Sequence, residues 1–318
     1  MAMIPTLLDY LRQPLAEPEI RRHSAEPSTS RKRGAEVYDA PDQTPDPLTT
    51  FWNYFPQLDE ADLHRLSQPY VVPTGSPVLQ SEGDVTKLWD TRVRLPVESA
   101  FRALHFIKFR SLMPCPGIED EDEDEDSEQV IDGFAQLEIG GANVGPLLLI
   151  DELKRPGILI KPELNNERPV SAATDRLGKE LVGYAVVYGC PTLLCFDGSH
   201  LLIYKWSSDD TTDIKDNQPN YWVIPITNTD PTVPMAYYAA VRDGYQRIRG
   251  NQVQDSGLTY QGLTLNRTFA GQPVWTSVQT GQEFDRNPNL PKRLNTQDWK
   301  WEWVDARGKV MHAEAYAV

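Results

Sequence analysis

Apolar positions along the chain fall into two regimes. Before about residue 48 they keep no period. Pro, Ser, Glu and Arg dominate there, which predicts a disordered N-terminal tail over 1–48, with one short helical turn at 4–11. From Phe51 the apolar residues recur at helical or strand spacing. Residues 60–66 read as a short helix and 69–77 as a loop or edge segment. Ala100, Phe101, Leu104, Ile107 and Phe109 form an apolar set, with Arg102, Lys108 and Arg110 as its polar complement. This pattern predicts an amphipathic helix over 97–112, and Pro96 stands near its start, where proline is tolerated. Two strands are predicted at 130–139 and 146–154, joined by a Gly-Gly-Ala-Asn turn at 140–143 and stopped by Arg155-Pro156-Gly157. Residues 172–188 carry Leu177, Leu181, Ala185 and Tyr188 on one helical stripe, and Gly189 with Pro191 ends it.

Strands at 192–196 and 201–206 flank an Asp197-Gly198 turn, and a further strand is predicted at 221–226. Tyr237, Val241, Tyr245 and Ile248 line one side of a helix over 234–248. Trp299, Trp301 and Trp303 alternate with Lys300 and Glu302, which with the Arg307-Gly308 turn predicts a terminal hairpin. The expected organisation is a tail, a mixed α/β domain over 49–250 and a β-rich C-terminal extension over 251–318. No internal repeat is present.

Composition narrows the class. At 318 residues the chain can bury one large core or two modest ones. No apolar run approaches the roughly 20 residues a membrane helix needs. Leu7-Leu8 is followed at once by Asp9 and Arg12, with no apolar leader segment. Three cysteines, Cys115, Cys190 and Cys195, are few and odd in number, which points to a reducing, intracellular compartment. Arg31-Lys32-Arg33 offers a nuclear import signal, or a solvated basic triplet. The net charge of −15 argues against a broad basic footprint for nucleic acid. Nine of the acidic residues, however, fall in 119–128, so the rest of the chain carries −6. Like charges at that density repel, so 119–128 is expected to be a disordered insertion. It is either a solvated linker, a cover for a site that binds nucleic acid, or, with the tail, a surface for a protein partner.

The chemistry concentrates where aliphatic Leu147-Leu148-Leu149-Ile150 runs into Asp151-Glu152-Leu153-Lys154. Buried charge is costly unless paired or metal-bound. Strand side chains alternate, so Glu152 and Lys154 share a face and Asp151 points away. A carboxylate that holds a hard divalent ion, beside a lysine, suits phosphodiester hydrolysis. Asp132, 20 residues upstream of Glu152 and across one hairpin, is the candidate second carboxylate.

Glu152-Leu153-Lys154 with Asp132 upstream resembles the PD-(D/E)XK nuclease superfamily, and 152–206 resembles uncharacterised fungal proteins carrying such a core. Ile131 stands where the family's name places proline. The resemblance implies a helix, a three-stranded meander, a second helix and a further strand. The first meander strand has no clear counterpart here; it lies within 84–95 or is displaced. It further implies Mg²⁺ or Mn²⁺ held by Asp132 and Glu152, with Glu98 of the first helix as an additional ligand, and Lys154 acting on water and phosphate. Lys179, Glu180 and Tyr184 of the second helix are the candidate auxiliary groups. DNA or RNA is the implied substrate.

Plainer readings exist for each of these residues. Glu152 and Lys154 also fit a structural ion pair, Asp132 before Gly133 fits a turn, and Glu98 fits a helix-dipole partner. Glu180 and Tyr184 fit surface and packing roles. The alternatives to a nuclease are therefore an inactive nuclease-fold binding module and a protein-interaction factor.

Overall fold

The fold comes from a computed structural model, which describes residues 5–21, 39–41, 45–55, 57–73, 78–102, 107–114, 130–137, 146–207, 214, 217–252, 258–267, 273–284, 287–295 and 300–314. The acidic run 119–128, the turn 140–143, the basic triplet 31–33, Cys115 and Trp299 lie outside the described residues. The chain forms two compact units, one of residues 1–56 and 69–241, the other of 57–68 and 242–318.

The first unit is built on a mixed six-stranded sheet. Strands β1 (Ile107–Pro114), β2 (Val130–Leu137), β3 (Leu147–Leu153), β4 (Thr192–Phe196), β5 (His200–Lys205) and β6 (Asn220–Pro225) lie side by side in chain order. Every neighbouring pair is antiparallel except β3 and β4, which are parallel. A parallel pair requires a crossover. Helix α3 provides it; the longer helices of this unit are α1 (Glu82–Trp89), α2 (Leu95–Ala100), α3 (Ala172–Val187) and the first turns of α4 (Val233–Gln252).

The helices cover both faces of the sheet. On one, Leu177, Leu181, Val182 and Ala185 of α3 join Phe134, Ile150, Leu193 and Leu202 in a single buried cluster. On the other, Trp89 packs against Phe196 and Tyr237 with ring centroids 5.0 and 4.9 Å apart, and Phe101 stacks on Tyr238 at 5.1 Å. With both faces covered, β3 and β4 read as near-continuous apolar runs, as strands buried on two sides do.

The helix expected over 97–112 is corrected to a short helix and a strand. α2 stops at Ala100, and Ile107–Pro114 pairs with β2 from Ile107↔Leu137 to Pro114↔Val130. The apolar positions Ile107 and Phe109 also alternate with Lys108 and Arg110, so the segment fits either period. Helix propensities differ by only about 0.7 kcal/mol per residue. Burying one Ile contributes about 1.5–3 kcal/mol, and β2 offers a full ladder, so the strand wins.

The stretch 84–95, one of two places offered for the first meander strand, is a helix, and that strand is displaced to Ile107–Pro114. Ser81 and Asp84 form a capping box: the Asp84 amide donates to Ser81 Oγ at 3.2 Å, and the Ser81 amide donates back to Asp84 Oδ2 at 3.0 Å. α1 then widens into a π-helical turn, Asp90–Arg94, and runs into α2. Pro96 explains the widening, because it has no N–H to offer the Arg92 carbonyl one turn earlier. The Tyr10 hydroxyl donates to that carbonyl at 2.8 Å.

Tyr10 belongs to the stretch expected to be a tail. Leu7, Tyr10 and Leu11 of the helix Leu7–Leu11 are buried instead, and the Leu15 amide donates to the Ile226 carbonyl at 3.2 Å. Their i, i+3, i+4 spacing gives even five residues an apolar face to bury.

The connection from β3 to α3 is fixed by Glu163, in the helical turn Lys161–Leu164. Its carboxylate accepts from the Ser171 amide at 3.1 Å, Ser171 Oγ at 2.7 Å, Arg168 at 2.7 Å and the Thr174 hydroxyl. The Thr174 and Ser171 donors hold the carboxyl down, from its ordinary 4.5 to about 2.

The second unit holds two antiparallel sheets. One has strands at 259–260, 263–267, 273–277 and 283–284, and the other at 292–295, 300–304 and 310–314. The expected β-rich extension is thus present, and its terminal hairpin is the last two strands of a three-stranded sheet. Leu265, Trp275, Leu290 and Trp303 bury around Ala61, so 57–68 belongs to this unit. Arg242, itself buried, pairs with Asp62 at 2.7 Å and Asp59 at 3.0 Å within the unit.

Two outcomes follow from these contacts. Tyr10→Phe deletes the donor to the Arg92 carbonyl and is expected to lower stability by about 1 kcal/mol, read from urea unfolding. Glu163→Gln is expected to cost most above pH 4.5, where the native carboxylate and its donors contribute fully. The gap between wild type and variant narrows as pH falls through about 2 and the carboxylate protonates. Urea midpoints compared at pH 6 and at the lowest pH at which the wild type stays folded measure it.

Candidate functional site

The site forms where β3 ends on the α3 face of the sheet. Gly133 pairs with Asp151, so the next positions along, Asp132 and Glu152, oppose each other on the same side. The Leu153 amide donates to Asp132 Oδ2 at 2.7 Å, which fixes that carboxylate beside the strand end. Lys154 follows immediately, held by its own amide to the Phe196 carbonyl at 2.9 Å. Glu152 is 1% exposed. The Lys154 ammonium contacts Glu152 Oε1 and also lies 3.0 Å from Glu180 Oε1. The Tyr184 hydroxyl donates to the same Glu180 oxygen at 3.0 Å, one helical turn along α3.

The electrostatics agree with this convergence. Burial pulls the Lys154 ammonium down, but Glu152 and Glu180 outweigh it, and the net shift is upward. The Tyr184 hydroxyl is pushed well up by burial and by the charges of Glu152, Glu180 and Asp132 together. Glu152 and Glu180 therefore flank one lysine, and Asp132 adds a third carboxylate whose charge reaches Tyr184.

Not every candidate joins it. Lys179 pairs with Asp175 at 3.2 Å along α3, both partly exposed, a surface pair worth little. Glu98 is exposed on α2, and its charge acts on Tyr237, on the face opposite Glu152. α2 ends on the far side of the sheet from Asp132, where Phe101 stacks on Tyr238.

Two residues were not anticipated. Cys195 sits opposite Glu152 across the parallel β3–β4 pair, fully buried, its thiol pushed well up by burial although Lys154 draws it down. Nothing in the sequence gives the β3–β4 register, so no signal could have found it. Asp151 points to the other face as the alternation predicts, and there it is buried and accepts from the Tyr237 hydroxyl at 2.9 Å. Burial raises it from 3.8 to about 7, against the opposing pull of Tyr237 and Arg94.

Among the described residues, no three His, Cys, Asp or Glu side chains gather closely enough to form a protein cage for a metal. Asp132 and Glu152 are two carboxylates on one face, and a hard cation such as Mg²⁺, which keeps most of its water, is commonly held by one or two carboxylates plus a substrate phosphate. The described residues contain no helix long and apolar enough to cross a membrane. The chain matches no protein-family model, no curated protein and no solved structure.

Asp151 offers a test of the packing behind the site. Its raised value means the folded state prefers the neutral acid, so its stabilising contribution is complete below 3.8 and is lost as pH rises through about 7. Asp151→Asn, permanently neutral, is expected to gain on wild type in urea resistance as pH rises from 5 to 8. A variant weakened equally at both values would contradict this.

Proposed function

We propose that this chain is a divalent-cation-dependent nuclease of the PD-(D/E)XK kind, hydrolysing phosphodiester bonds in DNA or RNA. The observation that carries the reading is the convergence of Asp132, Glu152 and Lys154 on one face at the end of β3. The element order supports it: helix α2, the antiparallel meander β1–β2–β3, helix α3 and the parallel strand β4 follow in the sequence that the resemblance implies.

In this reading Asp132 and Glu152 hold Mg²⁺ or Mn²⁺, leaving the remaining positions to water and phosphate. The ion supplies an acidified water and neutralises charge on the phosphate. Lys154 presents its ammonium to the developing anion. The β4 carbonyl of Phe196 fixes the Lys154 backbone, and Glu180 fixes its tip. The buried strand behind them keeps both carboxylates from turning away. Glu98 and Lys179 take no part.

A second reading, an inactive binding module on the same fold, is favoured by one contact: the Lys154 ammonium already pairs with both Glu152 and Glu180. Incubation of the purified chain with single- and double-stranded DNA and RNA separates the two. Cleavage is expected with Mg²⁺ or Mn²⁺ and not with EDTA. Glu152→Gln is expected to remove both Mn²⁺ binding and cleavage. Lys154→Met is expected to keep Mn²⁺ binding and slow cleavage by about 10²–10³-fold, the usual loss for a group that stabilises developing charge. A folded protein that binds no Mn²⁺ and leaves every substrate intact supports the binding module.

A further inference from the structure

Lys154 has two anionic partners where a structural ion pair needs one. Its ammonium touches Glu152 Oε1 and lies 3.0 Å from Glu180 Oε1. The two partners differ in how they are held. Glu152 sits on β3, opposite Asp132, where a cation would bind. Glu180 sits on α3, and the Tyr184 hydroxyl pins the oxygen that faces the lysine at 3.0 Å. α3 is itself anchored at its start, where Ser171 Oγ accepts the Thr174 amide at 3.3 Å and Glu163 binds both residues. Glu180 is therefore a fixed point. The side chains of Lys154 and Glu180 are 16% and 14% exposed, so the ammonium has little room to swing into water.

A cation on Glu152 and an ammonium on the same carboxylate repel, and the repulsion is strong where water is excluded. Something must take the lysine when the cation arrives. We propose that Glu180 is a second seat for Lys154, receiving its ammonium when a divalent cation occupies Glu152, so that the lysine stays at the site without competing for the metal. The inference rests on the nuclease reading and assigns Glu180 as a positioning residue, with Tyr184 holding it in place. It differs from a field effect, in which Glu180 would simply attract the cation through its own charge, because its influence runs through Lys154.

The test is calorimetric titration of Mn²⁺ into the full chain as wild type, E180Q, K154M and the double variant, with thermal unfolding of each. E180Q is expected to weaken Mn²⁺ binding about tenfold, inside the usual 5- to 150-fold range for coupled sites, because Lys154 then has only Glu152 to pair with. In the K154M background the same substitution is expected to change affinity less than about threefold, because the residue through which Glu180 acts is gone and residues in one ion-pair network are not additive. Equal losses in both backgrounds would mean that Glu180 acts on the cation directly, and no loss in either would mean it is a packing residue; each overturns the proposal. Should E180Q not fold, Tyr184→Phe removes only the hydroxyl that pins Glu180. It must then weaken Mn²⁺ binding in the Lys154 background and not in K154M, or the proposal falls. Wild type lacking Glu152-dependent Mn²⁺ binding overturns the nuclease reading along with the proposal. Tight Glu152-dependent binding that E180Q leaves unchanged overturns the proposal alone.

Discussion

The structure around the site depends on keeping charge at the end of a buried strand. β3 is apolar through Leu147–Ile150 and then places a carboxylate on each face in succession, Asp151 and Glu152, both about 1% exposed. Unpaired, each would cost several kcal/mol. The two faces solve the problem differently. Asp151 meets an aromatic layer and a tyrosine hydroxyl, and burial raises its carboxyl from 3.8 to about 7. Glu152 meets a lysine ammonium. Two adjacent residues of one strand thus place their carboxyls in an aromatic layer and beside a cation.

That arrangement requires the parts around β3 to hold still, and buried carboxylates do much of the holding. Asp197, fully buried in the β4–β5 turn, accepts from the Gly157 and Leu159 amides at 3.2 and 3.0 Å and from the Ser199 and His200 amides, both at 2.9 Å. It ties the segment after Lys154 to the neighbouring strand pair. Glu163 does the same for the start of α3. These groups satisfy backbone donors that would otherwise be stranded where the chain leaves regular structure. The order of the loop between β3 and α3 is what allows Glu180 to reach across to Lys154. Close packing adds to it: residues 39–41 lie so near α3 that a Cβ on Gly178 would come within 2.9 Å of the Ala40 side chain.

Local patterns were sufficient for α3, α4 and β2 to β6. Leu177, Leu181 and Ala185 state a helical period, and aliphatic runs bounded by Pro-Gly and Asp-Gly state strands. The sharing of one face by Glu152 and Lys154 follows from strand alternation alone, and Asp132 follows from its place across a hairpin. Two stretches were misread because their patterns suit both periods or hide a start signal. Ile107 and Phe109 serve a helix or a strand equally, and the ladder offered by β2 decided. Ser81 and Asp84, a capping box, marked a helix at 82–89 that apolar spacing did not reveal.

What the sequence by itself determined is therefore the charged end of β3, the helix that crosses over it and the face on which its glutamate and lysine lie, because each depends on neighbours within a few positions in the chain. Only the tertiary structure decided that Glu180 reaches Lys154, that Cys195 lies opposite Glu152, that Glu98 faces Tyr237 and that residues 57–68 pack beneath Trp275 and Trp303. Those are matters of register, crossover and which face of the sheet a helix lands on. They are fixed by packing between segments far apart in sequence, and no local period encodes them.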